Sequence, residues 1–318
     1  MMAQKKTILV TGGCGYKGSV LVGKLLNSGY KVVVIDTQWF GNTLPGHEAL
    51  TVIKLDVRDL MLEHLRGIDS IIHLASVAND PCGELDPKLT WEISALATMQ
   101  LADMAARSGI KQFIYASSGS VYGIKDEPEV TEDLELTPIS EYNKTKMVAE
   151  RVLLSYKDQM NVVMIRPATV CGLSPRMRLD VSVNMLTVQA LKNGIITVFG
   201  GNQARPNIHI DDITDLYISI LERPECYEGI YNAGFENLTI LEIAEMISRK
   251  VNAEIKVTES NDPRSYRINS DRLLATGFKP KKKVEDAIDE IISAWNNESL
   301  KDIPKHYNLK WMQEQIIK

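Results

Sequence analysis

Residues Thr7–Asp36 place the tightest limits on how this chain can fold. They read TILVTGGCGYKGSVLVGKLLNSGYKVVVID. The β-branched run Thr7–Thr11 ends at Gly12-Gly13 and suits a buried parallel strand entering a turn. Gly13, Gly15 and Gly18 fit G-x-G-x-x-G, while Gly12, Gly15 and Gly18 fit the wider G-x-x-G-x-x-G. Val22, Leu25 and Leu26 recur at helical spacing between Tyr16 and Ser28, and Gly29 closes that helix. Lys31–Ile35 is a second apolar strand, and it ends on Asp36.

Each part has a physical use. Glycines let the backbone turn tightly and let a pyrophosphate approach with no Cβ in the way. The N–H groups of the first helical turn, around Tyr16 and Lys17, carry partial positive charge that holds an anion. Asp36 stands where a carboxylate accepts from the ribose hydroxyls of an adenosine. Strand, glycines, helix, second strand and terminal acid in that order define a dinucleotide seat. No Arg or Lys follows Asp36 until Lys54, so a 2′-phosphate finds no neighbouring cation and NAD is favoured over NADP.

Further along, apolar segments at Leu50–Leu55, Ser70–Leu74, Lys111–Ala116 and Val162–Ile165 alternate with helical stretches, the longest being Leu89–Arg107. Asp59 fits the first turn of a helix reaching Leu65. This order predicts an α/β protein with a Rossmann, doubly wound parallel sheet and a smaller C-terminal α/β substrate-binding lobe. Residues 1–170 form the NAD-binding domain, and residues 171–318 form mainly the second lobe, with some segments returning to the sheet. In that lobe Ser174–Asp180, Asn202–Asp212 and Glu259–Arg272 read as charged loops. Helices are expected at Val181–Leu191, Asp212–Glu222, Ile240–Lys250, Val284–Trp295 and near the C-terminus. Trp39, Cys171 and the tail after Asn296 read as packing or surface.

Composition closes off several classes. A net charge of −5 gives no basic face for nucleic acid. No apolar run is long enough for a bilayer and no signal peptide is evident, so no membrane partner is expected. The four cysteines have no metal-ligand spacing and read as free thiols of a cytoplasmic protein.

The chemistry centres on Ser117-Ser118-Gly119-Ser120-Val121-Tyr122-Gly123, just past the fifth strand, and on Tyr142 and Lys146, four apart on one helical face. Tyrosine is a poor base at neutral pH. An ammonium one turn away and an oxidised nicotinamide favour its phenolate, which can then take a proton from a hydroxyl while the carbinol carbon loses hydride. A nearby serine can hold the same oxygen. Ser117 and Ser120 also suit turn-forming serines that satisfy local backbone.

TGGCGYKG, Asp36, the Asp56–Asp59 run DVRD, SSGSVYG, Tyr142-x-x-x-Lys146 and RPATV occur in this order. Over residues 6–295 the chain thereby resembles the extended short-chain dehydrogenase/reductases. More narrowly it resembles their NAD-dependent nucleotide-sugar epimerase/dehydratase branch, the UDP-glucose 4-epimerase type. The resemblance implies Tyr142 as catalytic base and acid, Lys146 as the residue that lowers its pKa and holds the nicotinamide ribose, and Ser118 as the catalytic serine. It places Gly12, Gly15, Tyr16, Lys17, Gly18 and Asp36 on the cofactor, Asp56 and Val57 at the adenine, Leu74, Ala75 and Ser76 beside the phosphates and ribose, and Pro167 near the carboxamide. Where the 4,6-dehydratases carry an Asp-Glu pair after the Ser/Thr, this chain has Gly119 and Ser120, which can supply neither acid nor base.

On the substrate side the resemblance implies Ser118, Ser120 and Tyr142 at the sugar and Asn184 and Arg205 at the diphosphate, with Arg264 a second candidate. Arg178, with Arg176, either meets the substrate or belongs to a solvated basic loop. His209 and Asp211 are expected to be structural, with no metal. The function implied is epimerisation of a nucleoside-diphosphate sugar, at C4, through a transient 4-keto sugar. The alternatives are a nucleotide-sugar 4-dehydrogenase or 4-keto-sugar reductase with net NAD(H) turnover and, outside enzymes, an NAD-sensing regulator. A homodimer joined through the Leu89–Arg107 and Tyr142–Tyr156 helices is also implied.

Overall fold

Seven apolar, largely β-branched segments pair in parallel to make the central sheet of the computed structural model, which describes residues 6–259 and 265–316. Six come in chain order: β1 (Thr7–Thr11), β2 (Lys31–Asp36), β3 (Leu50–Lys54), β4 (Ser70–His73), β5 (Gln112–Ala116) and β6 (Asn161–Pro167). The seventh, β10 (Gly229–Ala233), returns from the C-terminal half to pair with β6. The spatial order is β10-β6-β5-β4-β1-β2-β3, so the chain reverses direction between β1 and β4. That reversal opens a crevice at the strands' C-terminal ends.

Period-2 alternation sorts the side chains between two cores. Ile8 and Val10 face one layer with α1 (Tyr16–Asn27) and α7 (Ile210–Glu222), packing on Leu21, Leu25, Ile213 and Leu216. Leu9 and Ile71 face the other, with Leu101 of α4 (Ala97–Arg107) and Leu153 of α5 (Glu141–Leu154). The remaining strands build two small sheets: β7 (Thr169–Cys171), β9 (Ala204–His209) and β11 (Glu236–Thr239) in one, β8 (Ile195–Phe199) and β12 (Glu254–Thr258) in the other. A third core, around Val183, Ile196, Ile243 and Ile288, joins these to α6 (Ser182–Asn193), α8 (Ile240–Val251) and α10 (Val284–Asn296). The short α2 (Asp80–Gly83), α3 (Pro87–Trp91) and α9 (Asp271–Leu274) and the last helix, α11 (Asn308–Gln315), complete the fold. Among the described residues no helix is long and apolar enough to cross a membrane.

Three local expectations are corrected. The Leu89–Arg107 stretch is not one α-helix. It begins at Pro87, and between α3 and α4 it widens into a π turn over Glu92–Leu96, with Ala97 N–H donating to Glu92 O. Ser94, at the centre of that turn, is bonded through its hydroxyl to Ser76 and to Val77 N–H, and its carbonyl accepts from Thr98 Oγ1. The helix expected up to Leu65 is two 3₁₀ turns, Val57–Asp59 and Leu62–Leu65. The charged Asn202–Asp212 segment is mostly strand β9, because it pairs with β11 on one side and β7 on the other. Both partners are distant in sequence, so local composition carried no sign of them.

Candidate functional site

The crevice at the switch point is a cleft of about 780 Å³. Its floor is the β1–α1 turn. Gly12 has φ +71°, and a Cβ there would lie 2.7 Å from Ala75 N. A Cβ on Gly18 would lie 2.4 Å from Gly12 O, so the helix and strand meet only because both residues are glycine. The N-cap, Gly15, offers no side chain, leaving the amides of the first turn open to an anion. Lys17 lines the same wall, where burial and the charge of Arg178 push its pKa down to about 8. Asp36, at the end of β2, accepts from Cys14 N–H (3.0 Å) and Gln38 N–H (2.7 Å), which holds its carboxylate in place at the cleft. Cleft, glycine cradle, open helix terminus and terminal acid together fit a dinucleotide. Gly18→Val is expected to abolish stoichiometric NAD binding, and calorimetric titration of the purified protein checks this.

Asp56 and Val57 lie farther along the same cleft, with Asp56 capping the 3₁₀ turn and paired with Arg58 at 3.0 Å. Arg58 in turn reaches Glu92 of the π turn at 2.6 Å. Leu74, Ala75, Ser76 and Pro167 form the edge above the sheet.

At the other end α5 presents Tyr142 and Lys146. Ser140 caps this helix, accepting from Asn143 N–H, and donates its own hydroxyl to Asp80 at 2.6 Å. Ser118 caps the turn after β5, where its hydroxyl and that of Ser120 are 2.7 Å apart, and Ser120 donates to Asn143 Oδ1 at 2.5 Å. Burial raises the Tyr142 phenol to about 12, against the opposing pull of the neighbouring Ser118 hydroxyl. Lys146 donates to Ala116 O at 2.7 Å, with its ammonium 5.9 Å from the Tyr142 ring centre. Burial and the like charge of Lys17 lower it to about 7, against the attraction of Glu150. This depression has a thermodynamic consequence. Above pH 7 the folded, cofactor-free protein gives up the Lys146 proton while the unfolded chain keeps it to about 10, so stability rises with pH in that window. Between pH 7 and 9 the wild type should gain about 2 kcal/mol on Lys146→Met, as measured by urea denaturation.

The cleft thus gathers Ser118, Ser120, Tyr142 and Lys146 with the cofactor residues, and Arg178 and Arg205 also line it. Arg178 is held by Asp180 at 2.8 Å, and Arg205 projects from β9. Asn184 is different. It is fully buried beneath the wall, where its amide donates to Tyr16 Oη (3.0 Å) and Arg178 O (2.9 Å) and its carbonyl accepts from Gly172 N–H (3.0 Å). Its hydrogen bonds join α1 to two loops, and it is not among the residues that line the cleft. Arg264 lies outside the described residues. His209, Asp211 and Glu290 come close enough to hold a metal, but Lys24 pairs with Asp211 (2.9 Å) and Lys282 with Glu290 (2.9 Å), while His209 Nδ1 accepts from Asp211 N–H. Those lysines make the cluster an ion-pair network.

Sequence reasoning passed over Asp80, Asn143, Thr169 and Tyr266, all of which line the cleft, as does Arg176, named there only as an alternative beside Arg178. Asn143 was within reach of the helix argument, being adjacent to Tyr142. The other three arrive from separate segments.

A single crevice that combines a dinucleotide seat with a Ser-Tyr-Lys constellation defines an NAD-dependent enzyme of the short-chain dehydrogenase/reductase type. The chain belongs to the NAD dependent epimerase/dehydratase family, whose model matches residues 8–234. It is 27% identical over 339 residues to the UDP-glucose 4-epimerase of Lactobacillus helveticus, covering 95% of this chain and 99% of that one. It is 32% identical over 218 residues to the uncharacterized protein y4nG of Sinorhizobium fredii, covering 67% of this chain and 53% of that longer one. Among solved structures, MoeE5 in complex with UDP-glucuronic acid and NAD is similar with a TM-score of 0.82 and 26% identity, covering 92% of this chain and 100% of that chain.

Proposed function

We propose that the protein epimerises a nucleoside-diphosphate sugar at C4 through a transient 4-keto sugar. The observation that carries this reading is the convergence of Ser118, Tyr142 and Lys146 at the end of a cleft that begins at the Gly12–Gly18 turn. Bound NAD supplies the hydride acceptor and, in the second half of the cycle, the hydride donor. Tyr142 takes the 4-hydroxyl proton as the C4–H bond breaks, and returns it when hydrogen is restored on the opposite face. Ser118 holds the sugar oxygen. Lys146 and the cofactor's positive charge bring the phenol down from its high resting pKa. Arg205 and Arg178 grip the diphosphate, a geometry suited to guanidinium, while the sugar turns. Residues 1–170 serve the cofactor and residues 171–318 mainly the substrate.

Elimination across C5 and C6 is disfavoured by the residues themselves. A Cβ on Gly119 would lie 2.7 Å from Ile268 Cδ1, so no acidic side chain fits there without a shift. The Ser120 hydroxyl is committed to Asn143. The UDP-sugar 4-epimerase and MoeE5 likenesses support a nucleotide sugar as substrate. A homodimer through α4 and α5 is supported by exposed Leu96 and Met99 at that face, and a cytoplasmic setting by four free cysteines.

The test is proton NMR of the purified protein with a panel of nucleotide hexoses and uronates and no added cofactor. A second anomeric signal growing over many turnovers is the expected result. At most one keto-sugar per site, followed by arrest, would replace the epimerase with a dehydrogenase that awaits net NAD(H) exchange.

A further inference from the structure

Three segments that the catalytic reading leaves unused meet at the Asp36 end of the cleft. Trp39 and Phe40 follow β2, Arg176 sits in the loop after β7, and α11 crosses from the C-terminus. They are bonded together. Arg176 sits over the Phe40 ring, its Cζ 3.9 Å from the ring centre, and its Nη2 donates to Asn308 Oδ1 at 2.5 Å. Asn308 N–H donates to Asp180 at 2.9 Å, and Trp311 Nε1 donates to Trp39 O at 2.8 Å. Arg176 is 4% exposed, yet its Nε has no hydrogen-bond partner among the described residues. A buried guanidinium with an open donor is an expensive arrangement unless a ligand completes it. Arg176, Asn308, Phe40 and Asp36 all line the same end of the cleft.

A ribose hydroxyl both donates and accepts. Asp36 can take its proton but cannot give one back. A guanidinium on the facing side supplies the missing donors. We propose that Arg176 is a cofactor-binding residue that donates to the adenosine-ribose hydroxyls accepted by Asp36, and that Asn308 and the C-terminal helix hold it there. The adenosine half of the dinucleotide is therefore closed in by a clasp of Phe40, Arg176 and α11. This inference rests on the dinucleotide seat described above.

The test compares NAD with its 2′,3′-dideoxy-adenosine analogue by calorimetry on the full chain stripped of nucleotide. Arg176→Met should weaken NAD about tenfold or more and leave the analogue unchanged, because only NAD offers the hydroxyls. Asn308→Ala should move NAD in the same direction by less. Arg176→Lys, which retains charge and most of the packing, should show the same selective loss and serves if the methionine variant does not fold. Equal losses for NAD and the analogue would make Arg176 a packing residue only and overturn the proposal, as would unchanged NAD affinity. A wild type that binds neither nucleotide would instead overturn the dinucleotide seat.

Discussion

Tyr142→Phe is expected to lower turnover by about 10³-fold, in the range for loss of a positioned acid–base group, while NAD still binds. The ring stays packed against its neighbours and only the hydroxyl goes, so the cleft keeps its shape. The size of the loss follows from where the phenol sits. It is half-buried, with the Ser118 hydroxyl beside it and the Lys146 ammonium below. Among the described residues, no other group shares that position between the Ser118 hydroxyl and the Lys146 ammonium. Asp80, a carboxylate in the same wall, accepts from Ser140. The check is a paired measurement: steady-state turnover of the nucleotide sugar found by NMR, and NAD affinity by calorimetry. A large fall in turnover with unchanged NAD affinity assigns the effect to chemistry. Retention of more than a tenth of wild-type turnover would remove Tyr142 from the role of base.

Arg166→Met should destabilise the protein by about 3–5 kcal/mol, the usual result of stripping one partner from a buried ion pair. Arg166 meets Glu150 through Nε (3.0 Å) and Nη2 (2.7 Å), and the two side chains are 3% and 1% exposed. Nη1 also donates to Tyr122 Oη at 2.7 Å, and Tyr122 donates to Asn232 Oδ1 at 2.7 Å. Glu150 additionally accepts from Ser117 Oγ at 2.5 Å. Removing the guanidinium leaves a carboxylate in the core with one hydroxyl for company. The double variant Arg166→Met/Glu150→Gln should recover part of the loss, because no carboxylate is then left in the core without its guanidinium. Urea denaturation of the two variants and the wild type decides this. The network also ties the Ser117–Tyr122 turn to α5, one turn below Lys146, so the single variant should slow turnover at temperatures where it is still folded.

Much of the nucleotide half was legible from the residues. The β1–turn–α1–β2 unit followed from glycine spacing and apolar period, and the structure places its elements within a residue or two of expectation. Tyr142 and Lys146 were legible as a pair because a helix brings i and i+4 together whatever the rest of the chain does. The surroundings of Asn184 were not legible, for the opposite reason. Its position on α6 was correct, but its partners Tyr16 and Gly172 come from other segments, and they draw its amide under the wall. The π turn at Glu92–Leu96 was illegible because Ser76 and Thr98, not the helix's own apolar spacing, hold Ser94 there.

The cofactor end divides the two kinds of information most clearly. The sequence by itself determined the strand-glycine-helix-strand-acid unit, the absence of an acid at Gly119 and Ser120, and the Tyr142–Lys146 face. All of these depend on contacts within a few residues, where backbone hydrogen bonding and side-chain period leave little choice. Only the tertiary structure decided that Arg176 would lie at the Asp36 end, that Asn308 and Trp311 of an unassigned tail would join it there, and that β10 would return to the central sheet. Those contacts link residues far apart along the chain. Loop closure and burial of a shared core select them, and no local pattern records either.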